Sequence, residues 1–109
     1  MPAFEPIHIP TYVAEKYQSE IKTIKKYLTD AFPHCTVDIA YNIDLFSIGF
    51  RASDDRGNNV VYFRSQFLED LTSPITAWLD SSGIKEYFAM NNESVVIINN
   101  AGKLQNLRP

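Results

Sequence analysis

One cysteine and two histidines are the whole stock of thiol and imidazole in this chain of 109 residues. The single Cys35 rules out an internal disulfide, so the staples of a small secreted domain are missing and a reducing compartment is expected. His8 and His34 are too far apart for a paired-histidine motif, and one cysteine cannot supply a cysteine pair, so no zinc-finger spacing exists. The four glycines, Gly49, Gly57, Gly83 and Gly102, are scattered. Without a glycine-rich turn there is no phosphate cradle, which disfavours nucleotide-dependent enzymes. No eighteen apolar residues run together, and the opening Met1-Pro2-Ala3-Phe4-Glu5-Pro6 lacks the basic-then-apolar pattern of a secretory leader. The expectation is a soluble, cytoplasmic protein. Positive charge is scarce too: 10 Lys and Arg against 13 Asp and Glu leave a net charge of −3, with no long-range attraction for phosphate backbones or anionic lipid.

What is present is enough to fold. At 45% hydrophobic and 21% charged the composition is that of a globular chain, and the length supports one core and one domain. Pro2, Pro6 and Pro10 keep residues 1–10 extended, as an arm or edge strand. From Thr11, a plausible cap, Val13, Tyr17, Ile21, Ile24, Leu28 and Ala31 or Phe32 recur at steps of three and four, which predicts an amphipathic helix ended by Pro33. The period then becomes two. Cys35, Val37, Ile39 and Tyr41 predict one strand, Phe46, Ile48 and Phe50 a second, and Val60 to Arg64 a third, joined by the turns at 42–44 and 53–59. Helical spacing returns at Phe67, Leu68, Leu71, Ile75, Trp78 and Leu79, interrupted by Pro74 and closed by Gly83, so a kinked or two-piece helix is expected. Residues 84–90 suit a short helix or a hairpin approach equally. Ser94 to Ile98 is a late strand, and Lys103 to Gln105 follows a turn.

The order α-β-β-β-α-β, with one or two extra strands, predicts an α+β two-layer sandwich: an antiparallel meander with its helices on one face. The domain spans 11–105, and 106–109 form a tail. Val37, Ile39, Tyr41, Phe46, Ile48, Phe50, Val61 and Phe63 then lie under the helices. Thr36, Asp38, Ala40, Ser47, Gly49, Arg51, Val60, Tyr62 and Arg64 face outward as a mixed, wet surface.

No reactive constellation is complete. His34 and Cys35 pair a base with a nucleophile, but as neighbours in a strand they would point to opposite faces. The 54–59 run lacks the alternating oxygens and closing Glu of a calcium loop. Asp54-Asp55 sits in a turn and Glu69-Asp70 in the opening of a helix, where structural roles account for both. No catalytic residue, metal ligand or cofactor is therefore assigned, and the chain is read as a non-enzyme. Lys22, Lys25 and Lys26 form a basic stripe on the first helix that could contact phosphates. The order α-β-β-β-α is similar to that of double-stranded-RNA-binding domains. Those domains place a lysine cluster at the start of the second helix, whereas Ser65-Gln66-Phe67-Leu68-Glu69-Asp70 turns acidic here. With strands after the second helix, the order also resembles that of small acidic secretion chaperones, which dimerise and bind extended partner segments.

The expected function is a non-enzymatic protein-binding module: a small acidic accessory, inhibitor or chaperone-like protein. Its candidate contact patch is Asp38, Arg51, Val60, Tyr62 and Arg64, because Tyr and Arg give large contact area and forked hydrogen bonds at little ordering cost. The partner is another protein, with a homodimer as one form of it. Nucleic-acid binding through Lys22, Lys25 and Lys26 is the first alternative, and a small-ligand-binding domain the second.

Overall fold

Proline punctuates the helices of this chain. The Pro10 carbonyl accepts from the amides of Val13 and Ala14 at 2.9 and 3.0 Å and so opens α1 (Thr11–Lys16); the Thr11 side chain, expected to cap, makes no capping bond. The computed structural model describes residues 9–107 apart from positions 56 and 92. Except for Ile9 and Pro10, the arm expected over 1–10 lies outside the described residues, as does His8.

The first helical stripe is divided. Tyr17, at φ −112° and ψ 24°, breaks it into α1 and α2 (Gln18–Ala31), yet Val13, Tyr17, Ile24 and Leu28 all stay buried, because steps of three and four carry one face across the break. Three strands follow: β1 (Thr36–Asn42), β2 (Ser47–Asp54) and β3 (Gly57–Arg64). The second helical region is in separate pieces, α3 (Ser65–Asp70) and α4 (Ile75–Ser82), with Pro74 as the N-cap of α4. Gly83, at φ 80°, turns the chain directly into α5 (Ile84–Met90), so the segment that suited helix or hairpin is a helix. Strands β4 (Val95–Ile98) and β5 (Leu104–Asn106) complete the fold. Pairing runs past residue 105, since the Leu107 amide donates to Val95 O at 2.7 Å.

The class is α+β, with a five-stranded sheet ordered β1-β2-β3-β4-β5. Its direction corrects the expected all-antiparallel meander: β1, β2 and β3 are antiparallel, but β4 runs parallel to β3, with Val61 opposite Val96 and Phe63 opposite Ile98. The physical reason is the helical excursion. Three helices carry the chain back along the sheet before β4, so it re-enters in the direction of β3, as a crossover allows and a tight hairpin does not. The observed order is thus α-α-β-β-β-α-α-α-β-β.

Ile48, Phe50, Val61, Phe63, Val96 and Ile98 form one core with Ile24, Leu28, Phe67, Leu68, Leu79, Ile84 and Phe88 from the helices. The opposite sheet face is drier than alternation predicts. Ala40, Ser47, Val60, Val95 and Ile97 are all buried there. Ser47 is satisfied by donating its hydroxyl to Leu45 O at 2.8 Å. Phe46 also departs from expectation. Its φ is +47° and the residue is 62% exposed, because it ends the turn before β2 instead of starting the strand. Among the described residues no helix is long and apolar enough to cross a membrane.

Candidate functional site

The residues expected on the outer face do share it, although only some remain accessible. Register sets Asp38 opposite Arg51 and Arg51 opposite Val60, with Tyr62 and Arg64 further along β3. The Arg51 guanidinium donates to Asp38 Oδ2 at 2.7 Å, so these two neutralise one another across the strands. Val60 is 4% exposed, flanked in register by Arg51 and Val95, and offers almost no contact area. Tyr62 and Arg64 are half-buried, and among the described residues the Arg64 guanidinium has no carboxylate partner.

Arg64 leads to a feature that the sequence reading missed. It lines a hollow of about 420 Å³ at the end of the sandwich, bounded by Tyr12 and Lys16 of α1, Tyr41 at the end of β1, and Phe46. Each wall has a local cause. The turn after β1 is fixed where Asn42 Oδ1 accepts from the Leu45 amide at 3.1 Å and Ile43 O from the Phe46 amide at 3.3 Å. The Phe46 carbonyl accepts twice from Ser65, from the amide at 2.9 Å and the hydroxyl at 2.8 Å. Those bonds tie the turn to the start of α3 and hold Phe46 in a backbone region that L-residues seldom occupy. Phe46 therefore stands exposed at the hollow that Tyr12, itself 71% exposed, also lines.

Charge at this groove is organised by Glu69. Its Oε2 lies 3.0 Å from Lys16 Nζ, and the Tyr17 hydroxyl donates to the same oxygen at 3.0 Å. Hydrogen bonding to Lys16, then to Tyr17, holds the Glu69 carboxyl below its ordinary range. The bond to Glu69 raises Lys16 in turn, while burial and then Glu69 push the Tyr17 phenol up. The Lys16 ammonium also sits 5.6 Å from the centre of the Tyr17 ring. The groove thus presents aromatic surface and the cation of Arg64. The Ser65 hydroxyl is spent on Phe46 O.

The basic stripe lies elsewhere. Lys22, Lys25 and Lys26 are exposed on α2, and Lys26 pairs with Asp30 at 2.6 Å. At the opposite end of the strands His34 and Cys35 do not point apart as alternation predicts. They precede β1, which begins at Thr36, so strand geometry does not govern them. His34 Nε2 lies 3.5 Å from Asp54 Oδ2, and Cys35 lines a hollow of about 240 Å³ with both. Compared with known protein families, with curated proteins and with solved structures, the chain finds no match in any of the three.

Proposed function

We propose that this chain is a non-enzymatic protein-binding module that takes an extended segment of another protein into the groove between α1, the β1–β2 turn and the start of α3. The observation that carries this reading is Phe46, held exposed at φ +47° in a hollow it shares with Tyr12 and with an arginine without a carboxylate partner among the described residues. Exposed aromatic side chains lining one hollow are disfavoured in water and are common anchors of a contact centre. Arg64 selects the partner's charge. A segment with one bulky apolar side chain for the Tyr12–Phe46 surface and a carboxylate for Arg64 has the matching chemistry. The footprint extends over Tyr62 on the outer face, while Asp38 and Arg51, nearer the other end of the strands, are ion-paired with one another. The lone cysteine is in keeping with a reducing, cytoplasmic setting.

Selection of random linear peptides on the full chain tests the proposal, followed by titration of labelled winners. The expected winners carry an aromatic or large aliphatic residue near an Asp or Glu. Arg64→Glu and Phe46→Gly each weaken them more than about tenfold, roughly the loss of one contact-centre residue. Glycine accepts positive φ without strain, so Phe46→Gly keeps the melting temperature and separates lost contact from lost fold. No enrichment of peptides, or binding that survives both substitutions, sinks the proposal. Salt-steep RNA binding abolished by reversing Lys22 and Lys26 would replace it with the nucleic-acid reading.

A further inference from the structure

The far end of β1 carries a different chemistry, independent of the groove. Pro33 ends the first helical region, and the chain turns so that the Cys35 amide donates to Phe32 O at 2.9 Å before β1 begins. Asp54 ends β2 and pairs with Gly57 across the hairpin, opposite the entry to β1. Here one ring nitrogen of His34, the Cys35 sulfur and an Asp54 carboxylate oxygen all lie within 4.8 Å of one another. Cys35 lies in the turn before β1 and Asp54 at the end of β2, so tertiary folding assembles this set and no sequence motif announces it.

Nitrogen, sulfur and oxygen donors in one cluster are the three ligand types that Zn²⁺ accepts. Zinc bonds of about 2.0–2.3 Å in a tetrahedron place the donors roughly 3.3–3.8 Å apart. The 3.5 Å between His34 Nε2 and Asp54 Oδ2 already has that value, and small side-chain rotations close the rest. Access is from the His34 side, whose side chain is 58% exposed, while the Asp54 side chain is largely covered at 17%. The hollow holding the three has a further oxygen donor on its wall, Glu93. Glu93 lies across the bare Cα of Gly57: a Cβ there would come within 2.7 Å of Glu93 Cγ.

We propose that His34, Cys35 and Asp54 bind one Zn²⁺, with the fourth position open to water or to the Glu93 carboxylate. Two anionic ligands, the thiolate and Asp54, balance the ion's charge, and the metal fastens the α2–β1 turn to the β2–β3 hairpin. Coordination requires Cys35 to lose its proton, which passes to solvent as the metal enters.

Cobalt titration of the full chain under a non-chelating reductant tests this. The expected result is a sulfur-to-cobalt charge-transfer band with the strong visible bands of four-coordinate cobalt, saturating at one ion per chain and erased by Zn²⁺. Cys35→Ser removes the charge-transfer band. His34→Ala and Asp54→Asn each weaken Zn²⁺ by more than about tenfold, the lower bound set by losses of mere second-sphere partners. Zn²⁺ also raises the melting temperature of the natural chain and leaves unmoved the variant combining His34→Ala, Cys35→Ser and Asp54→Asn, whose metal-free circular dichroism checks its fold. Absence of the band, one ion per two chains, or affinity unchanged by His34→Ala and Asp54→Asn overturns the site.

Discussion

Glu69 serves a cation and a neutral donor with a single oxygen, and that arrangement fixes how stability responds to pH. Its folded-state carboxyl is depressed, so its contribution is complete above the ordinary carboxylate value of about 4.3 and is lost as pH falls through the folded value. Lys16 and Tyr17 are raised, so theirs is complete below about 10 and is lost as pH rises through their folded values. Glu69→Gln should therefore melt below the natural chain across the middle of the pH range, with the gap shrinking toward both ends. The Lys16–Glu69 ion pair is exposed, so the gap is small and narrows in salt. Calorimetric melting from acid to alkaline pH checks this; a gap constant at all pH would refute it. At this scale the sequence was readable only in part. Tyr17 falls on the apolar stripe and is buried as the stripe implies, but its acceptor is 52 residues away and leaves no local trace. Phe46 misleads for the opposite reason: the spacing Phe46, Ile48, Phe50 continues a period of two into a turn, where alternation no longer has meaning.

Among the elements, the β4–β5 hairpin depends most on one position. Gly102 has φ +76°, and a Cβ there would come within 3.1 Å of Phe67 Cε1 and 3.3 Å of Trp78 Nε1. Gly102→Ala should cost about 1–3 kcal/mol, combining left-handed backbone strain with crowding of a packed aromatic group. Denaturant unfolding measures the total, and amide exchange should quicken in β5 more than in β1. A variant as stable as the natural chain would mean that the turn and the aromatics yield freely. Element existence was legible where the pattern was long: the α2 stripe, the three early strands and the Gly83 stop all follow from spacing. The break at Tyr17 was not, because a stripe at steps of three and four reads the same whether the helix is continuous or pauses for one residue. His34 and Cys35 failed as a strand pair for a similar reason, with the boundary one residue later than the alternation begins.

Across the whole molecule, local and distant pairings are segregated. Strands β1, β2 and β3 are joined by short turns, whereas β3 meets β4 only after α3, α4 and α5, with Val60 opposite Val95. Local contacts cost less chain entropy to close, so the early hairpins should form before the parallel pair. Ile48→Val should then slow folding, while Ile98→Val should mainly speed unfolding, each at about 0.5–1.5 kcal/mol. Stopped-flow chevrons decide, and the reverse pattern would place the parallel pair in the folding nucleus. The direction of β4 was not legible because strand periodicity carries no sign; only the path of the intervening chain sets it. The groove at Arg64 was equally hidden, being assembled from α1, the β1–β2 turn and the start of α3. One consequence of the aromatic packing is optical. Trp78, the chain's one tryptophan, meets Phe63 edge-on and Phe67 at a tilt, beside Gly102. Its emission therefore watches the seam where the last hairpin meets the helices, and a red shift before global unfolding would time the moment at which water first enters that seam.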